Sequence, residues 1–64
     1  MKFYEYFNKN MNRFMLGDHE LMVKAVDEDF VVCESPSSEE TFIIPLNSIK
    51  NIVIGRSINV ELLS

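Results

Sequence analysis

The run FIIPLNSIKNIVIG at positions 42–55 sets the tightest limit on what this chain can become. A stretch so rich in Ile and Val reads as strand, yet Pro45 lies inside it, with no N–H to give to a ladder and a ring that holds φ at about −65°. One continuous strand through the middle of a sheet is therefore excluded. The run divides into two strands, TFIIPL and IKNIVI. LNS forms a one-turn helical corner between them, with Pro45 at a strand end or an exposed edge.

The remainder of the chain adds short strands of the same kind. RFMLGDHEL reads as a strand through Leu16 followed by a Gly17-Asp18 turn. LMVKAV alternates, with Leu21, Val23 and Ala25 on one side and Lys24 on the other, until the acids Asp27, Glu28 and Asp29 end it. FVVCE is rich in β-branched residues and reads as a third strand, and SPSSEE is a polar loop. After Gly55, SINVELL alternates Ile58, Val60 and Leu62 against Asn59 and Glu61, which predicts a further strand over 56–63. At the N-terminus Phe3, Tyr6 and Phe7 stand at i, i+3 and i+4, with Lys2, Glu5 and Lys9 elsewhere on the wheel, which predicts a short amphipathic helix over 2–9. Alternation of Phe3, Glu5 and Phe7 against Tyr4 and Tyr6 leaves a strand open there as well. The expectation is a single, mainly β domain: a helix over 2–9, a strongly bent barrel of short strands over 10–54, and an extra strand at 56–63, five or six strands in all.

A chain of 64 residues buries only about 60% of the surface its unfolded form exposes. A core of this size commonly needs a disulfide, a metal or a partner subunit. The single cysteine, Cys33, excludes an intrachain disulfide, and with His19 as the only histidine there is no Cys/His set for zinc. Assembly with further copies is the staple that remains, so a homo-oligomer is expected. MKFYEYFNKN lacks the apolar region of a signal peptide, and no apolar run nears the roughly 20 residues of a membrane span, so a cytoplasmic protein with no membrane partner is expected.

Charge is distributed unevenly around a net of −4. Between Gly17 and Glu40 there are eight acids against one base, Lys24, whereas the flanks are mildly basic. A uniformly basic footprint for nucleic acid is absent, although one basic face remains compatible with such a charge pattern. The chemistry-bearing residues are few. His19 in GDHE has acids on both sides, but adjacent side chains on a turn diverge, so an exposed turn residue is the simpler account. The DED triplet lacks the glycine and distal Glu of a calcium loop, and Cys33 between β-branched neighbours reads as a small buried hydrophobe. Glycines occur only at 17 and 55, so no phosphate-cradling loop is encoded. Neither an enzyme nor a cofactor is expected. The one basic cluster is Lys50 and Arg56 beside Asn47, flanking the corner.

A helix, short strands and a last pair joined by a one-turn corner resemble the layout of the Sm-like, SH3-related small barrels. The second Sm motif usually reads I-R-G-D/N-x-I-x-x-I. The segment IPLNSIKNI resembles it, with Ile44, Asn47, Ile49 and Ile52 in matching places and Pro45-Leu46 where Arg-Gly would stand. VDEDFVVCE resembles the first motif in placing acids before Phe30, but Val31 and Val32 follow and the motif Asn is absent. The resemblance implies a ring in which the fourth strand of one subunit pairs with the fifth of the next. It also implies that single-stranded RNA is bound at the motif loops, with Asn47 as polar reader and Phe30 or Val31 as stacking neighbour; the basic cluster of Lys50 and Arg56 is what the residues themselves offer to a phosphate there. FMLGDHELMVKAVDEDFVVCESP is loosely similar to the carbon-storage-regulator family, but SSEE stands where that family carries its basic RNA-binding residues. Two functions are thus in view: an oligomeric RNA-binding module, or a structural and protein-interaction subunit that works through its exposed edge and C-terminal strand.

Overall fold

The computed structural model describes residues 3–10 and 12–63. In chain order the elements are α1 (Phe3–Asn10), β1 (Arg13–Leu16), β2 (His19–Val26), β3 (Phe30–Glu34), β4 (Thr41–Pro45), the 3-10 corner η1 (Leu46–Ser48), β5 (Ile49–Ile54) and β6 (Ile58–Leu62). The N-terminal segment is helical, and the start expected at Lys2 lies outside the described residues. The protein is mainly β, with all six strands in one mixed sheet ordered β4-β3-β2-β1-β6-β5. Neighbours are antiparallel except β1 and β6, which run parallel through Met15 and Asn59. The C-terminal strand β6 thus has a neighbour on each side, and the two free edges of the sheet are β4 and β5.

Local chemistry accounts for the turns. Gly17 has φ of 64° at the first central position of the two-residue link between Leu16 and His19, the left-handed conformation that a II′-type hairpin needs. The β3–β4 loop closes through Ser35 N–H to the Glu40 carbonyl (2.9 Å) and Glu39 N–H to the Ser35 carbonyl (2.8 Å). Closing it leaves Glu39, a non-glycine residue, at φ 60°. At the corner Pro45 has φ −62°, its natural value, and ψ 133°, so the ring ends β4 without strain. The corner is then tied down on both sides, by Leu46 N–H to the Asp29 carbonyl (2.9 Å) and Leu63 N–H to the Ser48 carbonyl (2.8 Å).

In β2 and β5 the simple alternation breaks at a lysine. Val23 faces Cys33 while Ala25 faces Val32, so Lys24 is the extra residue of a bulge. A bulge resets the two-residue period, and Val26, not Ala25, becomes the half-buried residue at the end of β2. The expectation that Ala25 shares the core face with Leu21 and Val23 fails for that reason. The same irregularity occurs between Ile49 and Asn51, where Lys50 is inserted; the inward positions are therefore Ile49 and Ile52, three apart. Bulges bend a strand and raise its twist, which curves the sheet around one core.

That core comprises Phe14 of β1, Leu21 of β2, Val31 and Cys33 of β3, Ile44 of β4, Leu46, Ile49 and Val60, closed by Phe7 of the helix. The Phe7 and Phe14 rings meet edge to face, with centroids 5.7 Å apart and planes at 74°. Eight residues are too few for an isolated helix in water, so α1 owes its existence to this contact and to the packing of Phe3, Tyr4 and Tyr6 beside it. Among the described residues the one buried polar side chain, Ser35, is satisfied by the Ser37 hydroxyl at 3.2 Å. No helix among the described residues is long and apolar enough to cross a membrane.

Candidate functional site

Hollows lined by described residues divide the residues singled out from the sequence, and three of them bear on function. The first brings Phe30 and Asn47 together: the start of β3 and the corner η1 line a depression of about 420 Å³ with Ile43, Pro45, Glu28 and Asp29. The Leu46–Asp29 hydrogen bond makes this juxtaposition, because it fastens the corner to the β2–β3 turn. Phe30 is 36% exposed, so part of its ring is open to a ligand. Two carboxylates share the depression with it, which opposes a phosphate at this spot.

Lys50 stands apart from that depression, exposed at the bulge of β5. Arg56 is carried away altogether. It lies in the turn between β5 and β6, where it lines a second hollow of about 260 Å³ with Arg13, Glu20, Ser57 and the flanks of Phe14, Met15 and Ile58. Of the four residues flagged by sequence, the structure therefore joins Phe30 with Asn47 and separates both from Arg56. Arg13 was not singled out from the sequence. Its proximity to Arg56 comes from the parallel pairing of β1 with β6, a long-range contact with no local sequence signal. The one available hint was that these are the only two arginines in the chain.

The third hollow, about 290 Å³, is almost wholly apolar and is lined by Leu16, Leu21, Phe42, Ile43, Ile44 and Leu62, with His19 at its margin. Residues of the edge strand β4 here lie across from the β1–β2 hairpin and the end of β6. Exposed apolar side chains gather on the same outer parts of the sheet. Ile43 and Phe42 of β4 are 64% and 40% exposed, and Ile54 and Val53 of β5 are 61% and 43% exposed.

Burial pushes the Cys33 thiol above its ordinary value, and its sulfur points at the Phe42 carbonyl at 3.7 Å, so it stays a protonated thiol. Among the described residues no three His, Cys, Asp or Glu side chains are grouped to hold a metal ion. Two ion pairs occur among those residues, Arg13 with Glu20 at 3.5 Å and Lys24 with Glu34 at 3.9 Å, both at the surface.

No family model, no characterised protein and no solved structure matches the chain.

Proposed function

We propose that this chain is a non-enzymatic, self-assembling subunit of the small SH3-like barrel type, resembling Sm-like proteins, in which β4 of one copy pairs with β5 of the next. The observation that carries this reading is the pair of open sheet edges, each bearing exposed Ile side chains. A free edge presents unpaired N–H and C=O groups, and natural proteins usually blunt such edges or cover them. Ile43 and Ile54 are left 64% and 61% exposed on these two edges; removing such a side chain from water yields roughly 1–2 kcal/mol each. Charge favours joining unlike edges. Strand β4 is preceded by Glu39 and Glu40, whereas β5 contains Lys50 and no acid. Pairing β4 with β5 therefore brings strands of unlike charge together. A contact between two different edges is head to tail and propagates into a ring or a filament.

A second reading, in which the assembled module binds single-stranded RNA, draws support from the shared depression of Phe30 and Asn47. An aromatic face and an amide edge side by side can stack and read one base. The acids beside them make such binding weak.

Multi-angle light scattering tests the assembly. The parent should elute as a multiple of its 7.4 kDa mass, while Ile43→Lys and Ile54→Lys should each elute as a folded monomer with an unchanged far-ultraviolet spectrum. A monomeric parent at micromolar concentration refutes the proposal. Titrating the same samples with labelled oligouridine separates the RNA reading from a purely structural role, since only the former predicts a response that is lost in Phe30→Ala.

A further inference from the structure

We propose that Arg13, Arg56 and Ser57 form a binding site for a phosphate group of the kind carried by nucleotides. Arg13 and Arg56, far apart in the chain, line one hollow because β1 pairs with β6. They are the only arginines in a protein of net charge −4, and this hollow contains both. One carboxylate accompanies them, Glu20, which reaches the Arg13 Nη1 at 3.5 Å. That pair is exposed, and pairs of this kind hold together weakly enough for a dianion to displace.

The donor set distinguishes phosphate from a simple carboxylate. One guanidinium fork already satisfies both oxygens of a carboxylate, whereas a phosphate has oxygens enough to engage two forks and a hydroxyl. Size agrees, since the hollow of about 260 Å³ exceeds the roughly 30 Å³ share of one water and falls just below the range for drug-sized ligands. Met15 and Ile58, both half-buried, add an apolar flank on which the remainder of a nucleotide can rest. The hollow is lined by none of Ile43, Ile54, Phe30 and Asn47, so its test is separate from that of the function proposed above.

The test is a nuclear magnetic resonance titration of the full chain with inorganic phosphate, uridine monophosphate and uridine. Phosphate and the nucleotide should shift the amides of Arg13, Arg56 and Ser57 saturably, and uridine alone should not. Tighter binding of the nucleotide than of phosphate assigns the site to nucleotides; equal affinity assigns it to free phosphate, and either upholds a phosphate site. Arg13→Gln and Arg56→Gln should each weaken binding about tenfold, as expected for loss of one charge-assisted contact. Glu20→Gln should tighten it about two- to fivefold by removing the competing carboxylate, and Lys24→Gln should leave it unchanged. All these positions are exposed, so the variants should remain folded. Absence of saturable shifts at tens of millimolar phosphate, or the same response from parent and both arginine variants, overturns the proposal.

Discussion

Truncating Phe7 to alanine asks whether the helix belongs to the cooperative unit or merely rests on it. Phe7 is 2% exposed and its ring meets that of Phe14 at 5.7 Å. Removing a buried Phe costs about 3–5 kcal/mol in lost transfer energy and residual cavity. The edge-to-face contact accounts for about 0.5–1.5 kcal/mol within that figure. A chain of 64 residues, at about 0.1 kcal/mol per residue, has about 6 kcal/mol of stability in total. Phe7→Ala should therefore retain about 2 kcal/mol and melt some 15–30 °C below the parent, at about 4–8 °C per kcal/mol for a domain of this size. Urea denaturation provides two probes at once. Both tyrosines, Tyr4 and Tyr6, lie in α1 and report helix docking by fluorescence, whereas far-ultraviolet circular dichroism is dominated by the sheet. In the parent the two transitions should coincide. Phe7→Leu, which keeps most of the volume, should lose much less than the alanine variant. A loss below about 1 kcal/mol for Phe7→Ala, or a tyrosine transition that precedes the dichroism transition in the parent, would show that the sheet is stable without its helix.

Glu39 occupies the left-handed region at φ 60°, which costs a non-glycine residue about 1–2 kcal/mol. Glu39→Gly recovers that strain less the extra backbone entropy of glycine, so a thermal melt should rise by a few degrees, and Glu39→Val should lower it. Burial raises the Cys33 thiol above its ordinary 9.0, so the folded chain holds that proton to higher pH than the unfolded chain. Stability from this group is therefore complete below pH 9.0 and declines as pH rises above it. The decline approaches about 1.4 kcal/mol per pH unit, and urea titrations of the parent and Cys33→Ala should differ in slope between about pH 9 and 10. Identical slopes would show that the thiol ionises as freely in the folded chain as in the unfolded one.

Where an element was readable in advance, a local cause was responsible. Pro45 has no N–H and a fixed φ, so the division of 42–55 into two strands and a corner follows from one residue's covalent structure. Gly17 before Asp18 specifies its tight hairpin in the same way, and the β-branched run at Val31 and Val32 specifies a strand. The Phe3, Tyr6 and Phe7 spacing supports a helix more than a strand, and packing on Phe14 explains why so short a helix forms.

Sequence alone determined the punctuation of this chain: which segments extend, where they turn, and that a single apolar core with one free thiol has no disulfide to hold it. Tertiary structure decided who stands beside whom. Strand β6 could have lain at an edge on pattern alone, but its insertion between β1 and β5 leaves β4 and β5 as the open edges. The bulges at Lys24 and Lys50 could not be read from alternation, because an extra residue is visible only against a paired strand. Asn47 joined Phe30 through a hydrogen bond from the neighbouring Leu46, and Arg56 left Lys50 for Arg13 through a parallel strand pair. Backbone preference is a property of neighbours in the chain, whereas a binding surface is made by residues whose only relation is the closing of long loops around a shared core.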